Sequence, residues 1–95
     1  MAPSTASGQP VKVLIASPLR PYTGADEVDA AGATLGELLQ DLDRRFPGIR
    51  FRIVDEQERV RRHMRFFING EPVFSLAHPI RPHDEVCMVQ ALSGG

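Results

Sequence analysis

Residues 34–46 read TLGELLQDLDRRF, and the spacing of the apolar residues in this stretch decides the fold. They recur at positions i, i+3, i+4, i+7 and i+11, as one stripe along an α-helix does: Leu35, Leu38, Leu39, Leu42 and Phe46. Thr34 is an N-cap residue, and Glu37 predicts a capping box in which its carboxylate reaches the Thr34 N–H. Pro47 and Gly48 end the helix. This apolar stripe has to be buried, and the partner that the rest of the chain offers is a β-sheet.

Five other stretches have the β-branched or alternating pattern of strands: residues 11–16, 27–30, 64–68, 72–74 and 85–92. Asn69 and Gly70 are the residues that a two-residue type I′ turn requires, so they predict a hairpin between the third and fourth strands. Residues 17–24 contain two prolines and end in Gly24, which predicts a loop closing a hairpin of the first two strands. Residues 49–63 are interpreted as an accessory hairpin or a loose loop.

The order of hairpin, helix, hairpin-like pair and final strand predicts an α+β fold. We expect a β-grasp (ubiquitin-like) roll, with one main helix on a mixed sheet of four to five strands. The first and last strands would be parallel neighbours at the sheet centre, so loop 17–24 and residues 93–95 would lie close together. Alternation turns several side chains to the face away from the helix: Leu14, Phe67, Cys87 and Val89. This outer face is either a partner site or a surface covered by residues 49–63.

Length and composition predict one globular domain. The chain has 95 residues, 42% apolar and 24% charged, with a net charge of −1, which favours neither disorder nor attraction to nucleic acid or membranes. A single cysteine excludes an internal disulfide and fits a reducing compartment, so we expect a cytoplasmic protein. We divide the chain into a flexible leader at 1–10, the domain at 11–92 and a reactive tail at 93–95.

The residue patterns indicate neither an enzyme nor a metal site. Cys87 lies inside an apolar strand with no neighbouring base, and the spacing of the three histidines is not that of a metal site. Eight of the ten arginines lie between positions 44 and 65, but acidic residues are interspersed among them. This favours a solvated, internally paired surface, with an acidic docking partner as the next interpretation and nucleic acid as the least favoured.

The chain resembles the ubiquitin-like sulfur carriers of the ThiS/MoaD family over residues 11–95. The resemblance is carried by Gly94-Gly95 after an apolar strand, by the turn at residues 67–71 and by the helix start at residues 34–39. Loop 19–24 and the insertion at 49–63 are most similar to the branch that serves cysteine biosynthesis.

This resemblance implies that an E1-like enzyme adenylates the carboxylate of Gly95 with ATP and that sulfur then replaces one oxygen. The tail would comprise Ser93, Gly94 and Gly95. Partner contacts are expected beside it, at Leu19, Arg20, Phe67, Val89 and Leu92. No cofactor or metal of its own is implied, since ATP and Mg²⁺ belong to the activating partner. The sulfur would pass to a cysteine synthase-like enzyme or a molybdopterin synthase large subunit-like enzyme.

Two further functions stay open on the sequence. An activated Gly95 also permits a protein modifier, because a lysine amine attacks the same carbonyl. The third possibility is a β-grasp interaction module with an inert tail. The destination of the sulfur is equally open among cysteine, molybdopterin, thiamine and thiolated RNA.

Overall fold

A computed structural model describes residues 10–91, in which five strands form one mixed sheet of order β2-β1-β5-β3-β4. The strands are β1 Val11–Leu14, β2 Glu27–Ala30, β3 Met64–Ile68, β4 Glu71–Val73 and β5 Glu85–Gln90. The helices are α1 Arg20–Thr23, α2 Leu35–Arg45 and α3 Ile49–Ile53, and a 3-10 turn at Ser17–Leu19 leads into α1. The predicted β-grasp class, main helix and mixed sheet are confirmed.

The parallel pairing of β1 with β5 is the centre of the sheet. Val13 lies opposite Val86, and Leu14 lies opposite Cys87. β5 pairs antiparallel with β3 on its other side, where Phe66 faces Met88. The predicted central pair is therefore confirmed.

The core lies between the inner face of the sheet and α2. The four leucines of the helical stripe are fully buried there, together with side chains from three strands: Leu35, Leu38, Leu39, Leu42, Val13, Phe66, Val86 and Met88. Phe46 is only half-buried, because α2 ends one residue before it. The helical spacing of the leucines thus accounts for the helix and for the face it buries.

The start of α2 is capped slightly differently from the prediction. Thr34 Oγ1 accepts the Glu37 N–H at 3.2 Å, as expected of an N-cap. The Glu37 carboxylate, however, accepts the Ala33 N–H at 2.9 Å instead of the predicted N–H of Thr34. Thr34 is extended and forms an isolated β-bridge with Pro79, so the N–H before it is the one that the carboxylate meets.

Residues 49–63 begin with a helix, which corrects the expectation for their first part, whereas the antiparallel Val54–Val60 bridge agrees with the predicted accessory hairpin in the second. Gly48 adopts a left-handed φ of 96°, and the Asp43 carboxylate accepts the N–H groups of Gly48 and Arg50 at 3.0 and 3.2 Å. These bonds satisfy donors that a helix start leaves free. Ile49 and Ile53, four positions apart, are then buried in the core, and a Val54–Val60 bridge closes the rest of the insertion.

The remaining strand predictions are confirmed with small shifts of their ends. Asn69 and Gly70 both have positive φ, 53° and 87°, as a type I′ turn requires. β5 ends at Gln90, two residues before the predicted end. Residues 1–9 of the predicted leader (1–10) and residues 92–95 lie outside the described part of the chain, so the domain boundaries stay a prediction.

Asp41 ties α2 to the end of β2. Its Oδ2 accepts the Ala31 N–H at 2.8 Å and the Arg45 Nε–H at 2.8 Å, and its Oδ1 pairs with Arg44. Partial burial raises the pKa of this carboxyl, but the Ala31 N–H and the two guanidinium groups outweigh burial. The pKa of Asp41 therefore lies below its ordinary value of 3.8.

Asp41→Asn is expected to lower the free energy of unfolding at neutral pH by about 1–2 kcal/mol, because the charge-assisted hydrogen bonds weaken. A carboxyl with a lowered folded-state pKa stabilises the fold above its ordinary pKa and loses that contribution as the pH falls through the lowered value. The difference between wild type and variant should thus shrink in acid. Urea unfolding from pH 7 to pH 3 measures it. Asp29→Asn, at an exposed position of β2, is the control, and an equal loss there would contradict the role of Asp41.

Candidate docking site around the end of the last strand

The last described residues are held to the sheet until Ala91. Gln90 pairs with Met64 at the end of β5, and the Ala91 N–H donates to the His63 carbonyl at 2.7 Å. The predicted partner contact Leu92 and the predicted reactive tail, Ser93, Gly94 and Gly95, follow directly and lie outside the described residues. The surface that surrounds Gln90 and Ala91 is therefore the structural context in which a tail would be presented.

An apolar groove of about 530 Å³ runs along the outer face of β1 and β5 to Gln90. Leu14 is 44% exposed and Val89 is 36% exposed, and Cys87 lies half-buried opposite Leu14. Pro18 and Arg20 also line it. We call the groove lined by Leu14, Cys87, Val89, Pro18 and Arg20 the outer groove.

Phe67 and Arg65 extend this surface on the β3 side. Phe67 is half-buried opposite Cys87, and exposed Arg65 lies opposite Val89. Ile49, Ile53 and Val54 of the insertion belong to the core, and its exposed Phe51 lines a different cleft from this surface. Of the two interpretations of the outer face, the structure favours an uncovered surface.

The loop between β1 and β2 borders the same edge, as predicted, because Pro18 lines the surface next to Gln90. Arg20 is exposed, and its Nε–H donates to the Ile15 carbonyl at 3.2 Å. Leu19 is only 4% exposed and belongs to the core, although it also lines a second, neighbouring cleft, so its expected role as a partner contact stays a prediction. The short 3-10 turn at Ser17–Leu19 directs the Leu19 side chain into the core, and this burial holds the loop in place.

A second cleft, of about 490 Å³, lies at the same end of β5. It was not predicted from the sequence. Phe51 and Arg52 of α3 line one part of it, and Arg61 and His63 before β3 line another. Gln90 at the end of β5 and the loop residues Pro18 and Leu19 complete the lining. The Arg61 Nε–H donates to the Phe51 carbonyl at 2.9 Å, and the guanidinium lies 5.0 Å from the centroid of the Phe51 ring. We call it the basic cleft. The arginine cluster was visible in the sequence, but its grouping depends on α3.

The predicted internal pairing of the arginine-rich stretch holds in part. Arg44 and Arg45 pair with Asp41, and Arg50 pairs with Glu58 at 2.7 Å. Among residues 10–91, the other arginines of the stretch form no ion pair: Arg52, Arg59, Arg61, Arg62 and Arg65.

The described residues also bear on metals and membranes. Between residues 10 and 91, no three His, Cys, Asp or Glu side chains are grouped closely enough to hold a metal ion. No helix in that range is long and apolar enough to cross a membrane.

The sequence and the fold both match known proteins. The model of the ThiS family matches residues 13–95, from β1 through Gly95. The chain belongs to the ThiS family. Sulfur carrier protein CysO of Mycobacterium tuberculosis is 37% identical over 91 residues, which is 90% of this chain and 98% of the relative. The family prediction is therefore confirmed.

Solved structures show the same architecture for this ThiS-family chain. M. tuberculosis CysO superposes with a TM-score of 0.81 at 36% identity, over 86% of this chain and 99% of the other. CysO in the Amycolatopsis orientalis BexX/CysO complex gives a TM-score of 0.82 at 34% identity, over 90% and 99%. SAMP1 of Haloferax volcanii, at 22% identity, 90% and 99% coverage and a TM-score of 0.77, shares the fold alone.

Truncation of Leu19 should lower the free energy of unfolding much more than truncation of Val89. Leu19→Ala removes a buried side chain and is expected to lower the free energy of unfolding by about 2–5 kcal/mol. Val89→Ala, on the exposed outer face, should change it by less than about 0.5 kcal/mol. Chemical denaturation of the two variants measures both values. Equal, small losses would show that Leu19 is not part of the core.

Proposed function

We propose that this ThiS-family protein is a sulfur carrier of the cysteine-biosynthesis branch whose working group is the carboxylate of Gly95. The observation that carries the proposal is the match of the family model through Gly95, together with 37% identity to the sulfur carrier CysO along nearly its whole length. The carrier is a co-substrate and not an enzyme. ATP and Mg²⁺ are used by the activating partner.

The chemistry begins with a poor electrophile. A carboxylate repels nucleophiles and lacks a good leaving group. In the proposed first step a Gly95 carboxylate oxygen attacks the α-phosphorus of ATP, and pyrophosphate leaves with the electrons of the broken P–O bond. In the second, sulfide or a persulfide attacks the acyl-adenylate carbonyl and AMP leaves. Sulfide gives the thiocarboxylate directly, whereas a persulfide gives an acyl disulfide that a thiol reduces.

The geometry supports a division between a rigid body and a thin reactive end. Four residues follow Ala91, and an extended stretch of that length reaches roughly 13 Å. Gly94 and Gly95 carry no side chains, so a narrow slot in a partner admits them. The folded domain then serves as the handle that the partner grips.

The outer groove is the proposed docking surface for the E1-like adenylating enzyme. It is apolar, exposed and next to Gln90, where the body ends. Arg20, Phe67 and Val89 are the proposed contacts, with Leu92 following in the chain. The BexX/CysO complex supports docking of such carriers onto partner proteins.

The sulfur acceptor that we propose is a cysteine synthase-like enzyme. Identity to CysO supports this branch over a molybdopterin synthase-like acceptor. Assay of the thiocarboxylate form with each class of acceptor distinguishes the two, through the rate at which the carrier returns to a carboxylate.

Intact-mass spectrometry tests the proposed activation. The purified protein is incubated with its activating enzyme, ATP, Mg²⁺ and sulfide. The expected result is the mass increase of one sulfur-for-oxygen exchange at Gly95, absent when ATP is omitted. An unchanged mass with an active enzyme would contradict the proposal, and an isopeptide-linked adduct on lysines would support a protein modifier instead.

Val89→Asp tests the docking surface. A charge in the outer groove would have to be desolvated on docking, so kcat/KM for adenylation should fall about tenfold or more, mainly through KM. The matched control is Phe74→Asp, since Phe74 is 81% exposed just after β4 and lies outside the groove. Pyrophosphate release measures both. An equal effect of the two variants would argue against the groove.

A further inference from the structure

Arginine side chains, together with His63, collect around the end of β5. Arg52, Arg61 and His63 line the basic cleft with Gln90, Arg20 lines the outer groove, and Arg65 lies opposite Val89. The acids at this end of the sheet lie on the far side of the outer groove, where Glu27 pairs with Leu14 in β2. A protein with a net charge of −1 thus presents a concentrated positive surface beside its tail.

Two acids of the insertion, Asp55 and Glu58, already accept hydrogen bonds from other groups. Glu58 Oε1 accepts from Arg50 Nη2 at 2.7 Å. Asp55 Oδ1 accepts the backbone N–H groups of Gln57 and Arg59 at 2.8 and 3.0 Å. The Arg59 N–H holds the pKa of Asp55 below its ordinary value, with the charges of Arg59 and Arg61 contributing. Asp55 therefore stays ionised, although it forms no ion pair with Arg61 among the described residues.

Arg61 is oriented in advance. Its Nε–H is bound to the Phe51 carbonyl, and the Phe51 ring lies against its guanidinium. Two terminal nitrogens remain to donate to an incoming anion, and ordering them costs less because the side chain is already fixed. Arg52 is exposed on the same wall, with no hydrogen bond or ion pair within residues 10–91.

The cleft suits carboxylates better than a nucleotide. Base stacking needs aromatic faces, and among the residues that line the cleft Phe51 is the one Phe, Tyr or Trp side chain, with Arg61 over one of its two faces. A nucleotide that reacts with Gly95 at the end of an extended tail would lie roughly 13 Å away. A partner that takes in the tail up to Ala91 instead brings the rim of its pocket against Arg52 and Arg61. Guanidinium groups pair with carboxylates through two parallel hydrogen bonds.

We propose that the basic cleft binds an acidic segment at the rim of the activating enzyme's tail pocket. The inference rests on the proposed function and deepens it, because it names the partner chemistry for a second surface beside the tail. Complementary charges at a rim orient the encounter and raise the association rate. The carrier would approach the enzyme with its C-terminal end forward, because the positive surface lies next to Gln90 and Ala91, the residues that precede the tail.

Charge reversal tests the proposal. Arg52→Glu places a carboxylate in the cleft and should lower kcat/KM for adenylation about tenfold at low salt, through KM and with kcat unchanged. The loss should shrink at high salt because screening weakens the repulsion. Arg52→Gln should give a smaller loss in the same direction. Equal melting temperatures of the variants would show that the fold is intact.

Arg81→Glu is the matched control. It makes the same change of net charge at an exposed position near Asn69 and Asp84, away from both clefts. It should keep kcat/KM within about twofold of wild type, because long-range effects of surface charge are screened. Equal losses for Arg52→Glu and Arg81→Glu, or full activity of Arg52→Glu, would overturn the inference. If the wild-type protein itself is not adenylated, the proposed function fails instead.

Discussion

The parallel pairing of β1 with β5 is the constraint on which the site depends. It puts the last strand in the middle of the sheet, held on one side by β1 and on the other by β3. A terminal segment that leaves such a strand is anchored to the most buried part of the molecule. The residues that follow Ala91 therefore start from a rigid point, and the loop after β1 necessarily lies at the same edge.

Two surfaces of different character meet at that point. The outer groove is apolar and offers area for hydrophobic docking, whereas the basic cleft offers fixed charges. Pro18 and Gln90 border both. Apolar burial supplies non-directional attraction, and complementary charges supply orientation and discrimination among partners. A carrier that meets one enzyme for activation and another for sulfur delivery needs both kinds of contact at the base of one tail.

The elements with local signals were predictable from the sequence. The leucine stripe gives α2 and its buried face, Asn69-Gly70 gives the type I′ hairpin, and strand alternation gives the exposure of Leu14 and Val89. Each depends on residues close together in the chain. The central parallel pair of β1 and β5 followed from the expected β-grasp arrangement.

The features that were not predicted from the sequence depend on contacts that no periodic pattern marks. The Asp43 carboxylate caps the start of α3. This start follows Pro47-Gly48, which was interpreted from the sequence only as the end of the preceding helix. Leu19 is buried because a short turn folds it under the loop, and no periodicity marks so short an element. The basic cleft brings α3 together with Arg61 and His63, so it could not be predicted while residues 49–63 were interpreted as a hairpin or a loose loop without a helix.

The central claim is that the body and the reactive end are separable, with the end supplying the chemistry. Removal of Gly94 and Gly95 tests it most directly, with the melting temperature and ATP–pyrophosphate exchange by the activating enzyme measured on the same sample. The account predicts an unchanged melting temperature and no exchange. Persistent exchange by the shortened chain would contradict it.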